Sequence, residues 1–334
     1  MSKAGNSQKP PTIRDVARES GVSIATVSRF FSGKSSAVAP ETSESVRRAA
    51  ESLGYTPSEI GRSLRLARSR VVVVLVPSST NHFTTDVSAS LESALNAKGL
   101  SMVLANTEED PDKQDGLLSD AQGLRAKAVV LQGAIDTPKL REMAARQNNL
   151  IFVNRQPAPG IVAPYVGIDN FAAGFAVGRY FVQRDYQNFV AIHGPRQYAG
   201  SSARLDGFLA GIGEAGPVMR FESPFSMEGG YRYGTLLAAN MSQRYAVFCG
   251  NDEIAYGVYR AATERQLQVP DQMVICGFDD NRLNEWLAPW LTTVKVPAFD
   301  FGPAIADLIE KVPTATKSCD RFILPFSLIQ RQSA

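Results

Sequence analysis

The sequence predicts a two-part chain: a small all-α head with a helix-turn-helix, and a larger α/β body of two doubly wound subdomains. Three observations predict it. Residues 12–54 carry apolar positions at helical spacing, punctuated by two glycine stops. From residue 71 onward, short apolar runs alternate with helix-length amphipathic stretches, the rhythm of parallel sheets covered on both faces. Charge divides at the same place: residues 1–70 hold 12 Lys and Arg against 6 Asp and Glu, and the rest holds 23 against 27. A basic head on an acidic body is the pattern of a nucleic-acid-binding module joined to one of another kind.

In the head, Thr12 with Asp15 three residues on forms a capping pair for a first helix. Ile13, Val16 and Ala17 share one face of it. Ser20-Gly21 ends it, glycine being suited to the left-handed backbone of a tight turn. Ser23 can cap a second helix, which turns Val27 inward with Phe30 or Phe31. Pro40 opens a third as a first-turn proline, with Val46, Ala49, Ala50 and Leu53 as its buried stripe and Gly54 as its stop. Two short helices across a glycine turn form a helix-turn-helix, although spacing alone fits any small three-helix bundle.

In the body, strands are expected at 71–76, 101–105, 128–131, 150–153, 189–193, 218–221, 246–249 and 274–278. Helices such as 83–97, 171–184, 204–214 and 252–265 lie between them. Eight strands exceed one comfortable open sheet, so two subdomains are expected. Ligands then bind outside the carboxyl ends of the strands, in the cleft between the halves. Residues 211–216, GIGEAG, fit a dinucleotide-binding glycine motif, but a helix precedes and a strand follows, the reverse of what that chemistry needs. They read as a helix end and a turn.

Composition excludes several classes. The chain is 44% hydrophobic and 20% charged, as an ordinary globular protein is. Its longest apolar run, 71–76, is far short of the about 20 residues of a membrane span. The polar start through Pro11 has no export signal, so a cytoplasmic location without a membrane partner is expected. Cys249, Cys276 and Cys319 lack metal or redox spacing and read as buried thiols; His82 and His193 have no partner at ligand spacing. No phosphate loop, nucleophile elbow or zinc-protease motif occurs. No metal, cofactor or catalytic activity is therefore expected.

The text of the head is more specific than its spacing. TIRDVARESGVSIATVSRFFSGK (12–34) and PETSESVRRAAESLGYTPSEIGRSLR (40–65) closely resemble the DNA-binding head of the LacI/GalR (lac repressor) family. The resemblance implies a transcriptional regulator. Residues 1–11 are then a disordered arm, 12–57 the DNA-binding domain, 58–70 a hinge helix and linker, and 71–334 a ligand-sensing and dimerisation domain. Ile24 and Ala25 fall where the family reads base edges, with Arg29 a turn later. The chemistry agrees: Ile24 and Ala25 can meet thymine methyls, and Arg29 can bond guanine O6 and N7. Thr26 and Ser28 suit phosphate contacts, and Thr12 and Ser23 complete the expected DNA-facing set.

SEIGRSLR (58–65) resembles the family's hinge helix, which pairs with its copy in the minor groove. Leu64 would wedge the central base step, while Arg62 and Arg65 add phosphate contacts. Three features depart from the family: Gly61 where alanine is usual, Glu59 near the phosphates, and a loop at 32–39 one residue longer. A glycine there weakens a helix by about 1 kcal/mol, so a hinge unfolded off DNA is expected. An ordinary basic linker is the alternative.

The body resembles the family's periplasmic-binding-protein-like (type I) sensor, whose chain crosses between subdomains three times, here at 167–171, 292–297 and near 321–323. The N-subdomain is then 71–168 with 297–320, and the C-subdomain 169–296 with 321–330. Carried over position by position, the effector contacts are Phe83, Arg155, Arg204, Phe225, Asn251 and Asp279. Arg204, Asn251 and Asp279 suit vicinal hydroxyls, and Phe83 and Phe225 an apolar ring face. Asn251 could instead cap a helix, and Arg204 could be structural. Asn251 matches sugar-responsive members, and Tyr198 and Gly200 lack the polar groups of purine-responsive ones. The expected effector is a sugar, polyol or sugar acid, with a purine or nucleoside corepressor as the alternative. With no leucine-heptad tail after the last strand, a homodimer reading an inverted-repeat operator in double-stranded DNA is expected. A solute-binding protein would share the body but not the basic head.

Overall fold

The computed structural model describes residues 11–31, 38–56, 69–146, 149–239, 243–311 and 320–334. The chain divides between Arg70 and Val71 into two compact units. The hinge positions Gly61, Arg62, Leu64 and Arg65, most of the loop at 32–39, the arm through residue 10 and Cys319 lie outside the described residues.

In the first unit, α1 (Ile13–Ser20), α2 (Ile24–Phe31) and α3 (Pro40–Leu53) enclose one small core. The Thr12 amide and hydroxyl both donate to the Asp15 carboxylate, at 2.9 and 2.7 Å. Those bonds hold the Asp15 carboxyl below its ordinary pKa. Gly21 closes α1 at φ 70°, a conformation that strains any residue with a side chain. The Ser23 hydroxyl then accepts from the Thr26 amide at 3.2 Å, satisfying a free donor of α2. Val16, Ala17, Val27, Val46, Ala49 and Ala50 are buried, with Phe30, Phe31 and Leu53 packed against them. Helices as short as α1 and α2 do not hold in isolation, so this shared core is what keeps them folded.

Among the described residues, twelve strands make two six-stranded sheets in the second unit. The first contains β1 (Val71–Val76), β2 (Ser101–Asn106), β3 (Ala128–Gln132), β4 (Leu150–Val153), β5 (Tyr165–Ile168) and β11 (Arg321–Leu324). Its order is β11-β5-β4-β3-β1-β2, all parallel. The second contains β6 (Phe189–His193), β7 (Val218–Glu222), β8 (Tyr245–Cys249), β9 (Met273–Asp279), β10 (Thr292–Lys295) and β12 (Ser327–Ile329). Its order is β12-β10-β9-β8-β6-β7, parallel except at β12. Helices α4 (His82–Ala97), α5 (Pro111–Gly123), α6 (Pro138–Arg146), α7 (Asn170–Val182), α8 (Ala199–Ile212), α9 (Met227–Ala239), α10 (Asp252–Glu264), α11 (Leu283–Trp286) and α12 (Ala298–Lys311) connect the strands.

The unbroken apolar run of β1 follows from burial on both faces. Val72, Val74 and Val76 share a core with α4 and α12, and Val73 and Leu75 share another with α5 and α6. The eight expected strands form, each within one residue at either end. Four more, β5, β10, β11 and β12, arise in segments that read as connections; each has only three or four residues, too few to show a period. Gly211 to Gly216 are the end of α8 and the turn before β7, as read. α8 itself starts at Ala199, five residues before the expected 204, so Arg204 sits in its second turn.

One boundary differs from expectation. Residues 321–324 were expected in the C-subdomain but form β11, which pairs with β5 in the first sheet, Arg321 opposite Tyr165 through Leu324 opposite Ile168. The third crossing is therefore at 325–326, not 321–323. Pro325 has no amide with which to continue the ladder, so the chain leaves the sheet there.

Two constraints position the second sheet's carboxyl edge. Gly174 and Gly178 of α7 pack at backbone distance on the Arg204–Gly211 stretch of α8, where Gly207 and Gly211 in turn meet the α7 backbone, and a methyl at Gly174 would overlap the Arg204 carbonyl oxygen. Asp252, the first residue of α10, is fully buried. Its carboxylate accepts from Thr293 Oγ1 of β10 at 2.6 Å, Asn284 Nδ2 of α11 at 2.8 Å and the Asn281 amide at 3.0 Å. Burial pushes this carboxyl up to about 7 against those bonds.

Gly174→Ala gains about 1 kcal/mol of helix propensity but forces two helix backbones apart, costing roughly 1–3 kcal/mol. A net loss of stability in denaturant melts is expected; a gain would mean that α7 can shift freely from α8. Between about pH 4 and 7 folded Asp252 keeps a proton that the unfolded chain has lost, so its contribution to stability falls as pH rises through that window. The wild type should lose up to about 3 kcal/mol more than Asp252→Asn between about pH 5 and 8. Parallel curves would show that the carboxyl is already charged at the lower pH.

Candidate functional site

On the head, the outer face of α2 opposes the Val27 face. Ile24 is 45% exposed, and Ala25 and Arg29 are exposed beside it. An isoleucine held outward on a well-packed small domain does nothing for the core. Thr12 and Ser23 are exposed as well, while Thr26 and Ser28 are half-buried. The Ser23 and Thr26 hydroxyls share a 2.9 Å hydrogen bond at the start of α2. The arrangement presents two apolar groups and, a turn later, a guanidinium, beside helix-start amides suited to anions.

On the body, the six expected ligand positions meet. Phe83, Arg155, Arg204, Phe225, Asn251 and Asp279 all line one cleft of about 800 Å³. Phe83 follows β1, Arg155 follows β4, Phe225 follows β7, Asn251 follows β8 and Asp279 ends β9. Arg204 reaches in from α8. The other five stand beyond or at the carboxyl ends of parallel strands, where the open loops and helix starts gather.

Arg204 is buried. Its Nε and Nη2 donate to Asn170 Oδ1 at 3.2 and 2.9 Å, its Nη1 donates to the Gly250 carbonyl, and its guanidinium carbon lies 3.4 Å from the Phe278 ring centroid. Burial pulls its pKa down to about 10, opposed by Asp279 and Asp252. Asp279 is held at φ 113°, a strained conformation for this residue. Burial pushes its carboxyl well above the usual range, with Arg204 opposing. Asn251 is both a cap and a cleft residue: its Oδ1 accepts from the Ile254 amide at 2.9 Å, and it lines the cleft as well. Phe83 is mostly core, edge-on to Phe301 at 5.7 Å.

Arg155 donates to the Gly133 carbonyl at 2.9 Å and to Glu109 Oε1 at 3.1 Å, and lies 3.4 Å above the Tyr198 ring. The Tyr198 hydroxyl donates to Glu109, and burial, then that carboxylate, keeps the phenol protonated beyond its usual range. Elsewhere in the cleft Asn81 Nδ2 donates to Glu253 Oε1 at 3.1 Å, with His82 Nδ1 3.6 Å from the same oxygen. Sequence reasoning missed Glu109, Glu253 and Asn170. Glu109 was the most accessible, because the acidic run after β2 stands at a strand's carboxyl end. Glu253 and Asn170 read as ordinary first-turn residues of helices.

Among the described residues no group of three or more His, Cys, Asp and Glu could hold a metal, and no helix is long and apolar enough to cross a membrane. Cys249 and Cys276 are buried, unbridged thiols.

Comparison with known proteins matches both units. Residues 12–58 match the family of bacterial regulatory proteins, lacI family, and residues 179–334 the periplasmic binding protein-like domain. The HTH-type transcriptional repressor PurR of Pectobacterium carotovorum subsp. carotovorum (strain PC1) is 31% identical over 330 residues, 96% of each chain. The ribose operon repressor of Escherichia coli (strain K12) is 30% identical over 329 residues, 97% of this chain and 99% of that one. In fold the chain is similar to the lac repressor dimer bound to operator and the anti-inducer ONPF, with a TM-score of 0.83 at 23% identity, covering 97% of this chain and 99% of that one. It is also similar to the transcriptional regulator CelR–cellobiose complex, TM-score 0.71 at 24% identity, covering 97% and 100%. Relatives aligned along nearly the whole length, with the head and sensor modules in this order, place the chain in the lacI family of bacterial regulatory proteins as a DNA-binding transcriptional regulator.

Proposed function

We propose that the protein is a homodimeric, cytoplasmic repressor, not an enzyme, whose affinity for an inverted-repeat operator is changed by a small effector in the cleft. The observation that carries this is the convergence of Phe83, Arg155, Arg204, Phe225, Asn251 and Asp279 on one cleft, in a chain whose other unit exposes Ile24, Ala25 and Arg29 together. On the DNA side, Ile24 and Ala25 meet thymine methyls and Arg29 reads guanine. Thr12, Ser23, Thr26 and Ser28 hold phosphates, and Arg62, Leu64 and Arg65 act from the hinge around Gly61. In the cleft, Asp279, Arg204 and Asn251 bind hydroxyls of a sugar or polyol between the rings of Phe83 and Phe225. The effector shifts operator affinity only by its differential affinity for the two forms of the cleft, typically 1–3 kcal/mol.

A purine corepressor is the second reading, favoured by the 31% identity to a PurR repressor and by the two cleft phenylalanines, whose faces suit a flat base as well as a sugar. The dimer is supported by apolar surface on the body. Val103 and Leu104 on the edge strand β2 are 43% and 45% exposed, and Trp286 and Leu287 are 77% and 72% exposed. Such surface is normally covered by a partner.

Selection of random duplexes by the full-length protein should enrich an inverted repeat, and Arg29→Ala should lose roughly 1–3 kcal/mol of preference for it. Adding sugars should lower operator affinity, and Asp279→Asn should remove that response while leaving the operator bound. A response to purines instead, with affinity rising, would replace the sugar reading by the corepressor one. No enriched site with or without either class would sink the proposal. Separately, Leu104→Glu and Trp286→Asp should each shift the protein toward monomer in sedimentation and weaken operator binding. Unchanged sedimentation of both would place the dimer interface elsewhere.

A further inference from the structure

The charges on the cleft wall differ in how their hydrogen-bonding capacity is used. Among the described residues lining it, the arginines are Arg155 and Arg204, and both are engaged by protein acceptors. Arg204 serves Asn170 and the Gly250 carbonyl. Arg155 serves the Gly133 carbonyl and Glu109. The acids are less occupied. Among the described residues, Asp279 has no hydrogen-bond donor on its carboxylate; what acts on it is burial and the fields of neighbouring charges. Glu253 accepts from Asn81 and has His82 beside the same oxygen, and Glu228 is exposed. An anionic ligand is bound most strongly by an unengaged cation, whereas a hydroxyl or amine is served by an unengaged acceptor. This wall supplies the acceptors.

Glu109 is placed for this by its backbone. Glu108 and Glu109 both adopt φ 55°, the left-handed region that a non-glycine residue occupies only under constraint. The constraint comes from both sides. Asn106 Oδ1 accepts the Glu108 amide at 3.0 Å. Asp110 then caps α5 by accepting the Asp112 and Lys113 amides at 2.8 and 3.0 Å. The turn between them delivers Glu109 to Arg155, with the Tyr198 hydroxyl on its second oxygen. Glu108, which also lines the cleft, pairs instead with Lys113.

We propose that Glu109 sets the ligand class of the cleft: by occupying Arg155 it excludes carboxylates and phosphates, and leaves the cleft to neutral or amino-bearing polyhydroxyl or nucleoside-like ligands. This rests on the reading of the cleft as the effector site, and it removes sugar acids from the effectors expected from the sequence. Glu109 acts through Arg155, as a specificity-determining residue.

Calorimetric titration of the full-length protein tests it. The probes are pentoses, hexoses, polyols, nucleosides and purine bases, together with their amino, carboxylate and phosphate derivatives. The wild type should bind neutral or amino-bearing probes and no acidic one. Glu109→Gln keeps an acceptor for Tyr198 but releases Arg155. It should raise affinity for the acidic derivative of the bound probe by roughly tenfold or more, and adding Arg155→Gln should abolish that gain. An acidic probe bound by the wild type, or no gain in Glu109→Gln, overturns the inference alone. Binding that is unaltered by Asp279→Asn, or a panel without any ligand, overturns the cleft reading itself and the inference with it.

Discussion

The buried guanidinium of Arg204 is the constraint around which the sensor is arranged. Removing such a charge from water costs several kcal/mol unless its donors are met. They are met by two segments, Asn170 at the start of α7 and the Gly250 carbonyl between β8 and α10, while the ring of Phe278 at the end of β9 covers the guanidinium that α8 carries. Neither α7 nor the segment at Gly250 can move from α8 without leaving an unmet donor in the interior. The glycine contact between α7 and α8 serves the same end, because it sets the backbone of Arg204 directly against α7, which begins with its partner Asn170. The carboxyl edge of the second sheet is thus fixed before any ligand arrives, and fixed geometry reduces the entropy lost on binding.

Asp252 extends this order behind the cleft. It ties β10, α11 and the turn at Asn281 to the start of α10, one residue from the capping Asn251. A fully buried carboxylate with three donors is better read as specifying an arrangement than as adding net stability, since its desolvation offsets its bonds. Contacts between segments of the two sheets are of a different kind. Asn81 with Glu253, Tyr198 with Glu109, and Arg282 with Asp86 at 2.6 Å each involve at least one partly exposed side chain. Such contacts are individually weak. A rigid floor with weakly held walls is what a ligand-biased equilibrium requires, because a modest differential affinity is then enough to shift it.

How far the sequence reached depends on the range of the interaction involved. Capping, glycine stops and helical spacing act within a few residues, so the Thr12–Asp15 pair, Gly21 and the inward Val27 could be read directly. The long apolar strands were legible because burial on both faces leaves no other composition available. β11 was assigned to the wrong sheet for the opposite reason. Four residues of moderate burial say nothing about which edge they join, and the choice rests on pairing with Tyr165 more than 150 positions away. The six cleft residues were found through family resemblance, not by local pattern; nothing near Arg204 or Asp279 in the chain announces a site. Glu109 escaped because its role exists only once Arg155 and Tyr198 stand beside it.

By itself, then, the sequence determined the division into a basic helical head and an acidic α/β body, the helix faces, the main strands and the membership of a regulator family, since each follows from composition, period or a long matched text. Tertiary structure alone decided which charges meet. Arg155 could have been an anion-binding group and Asn251 only a cap. Their actual situations, one paired with Glu109 and the other both capping α10 and lining the cleft, are products of distance in space, and electrostatic partnership is governed by that distance and by burial rather than by order along the chain.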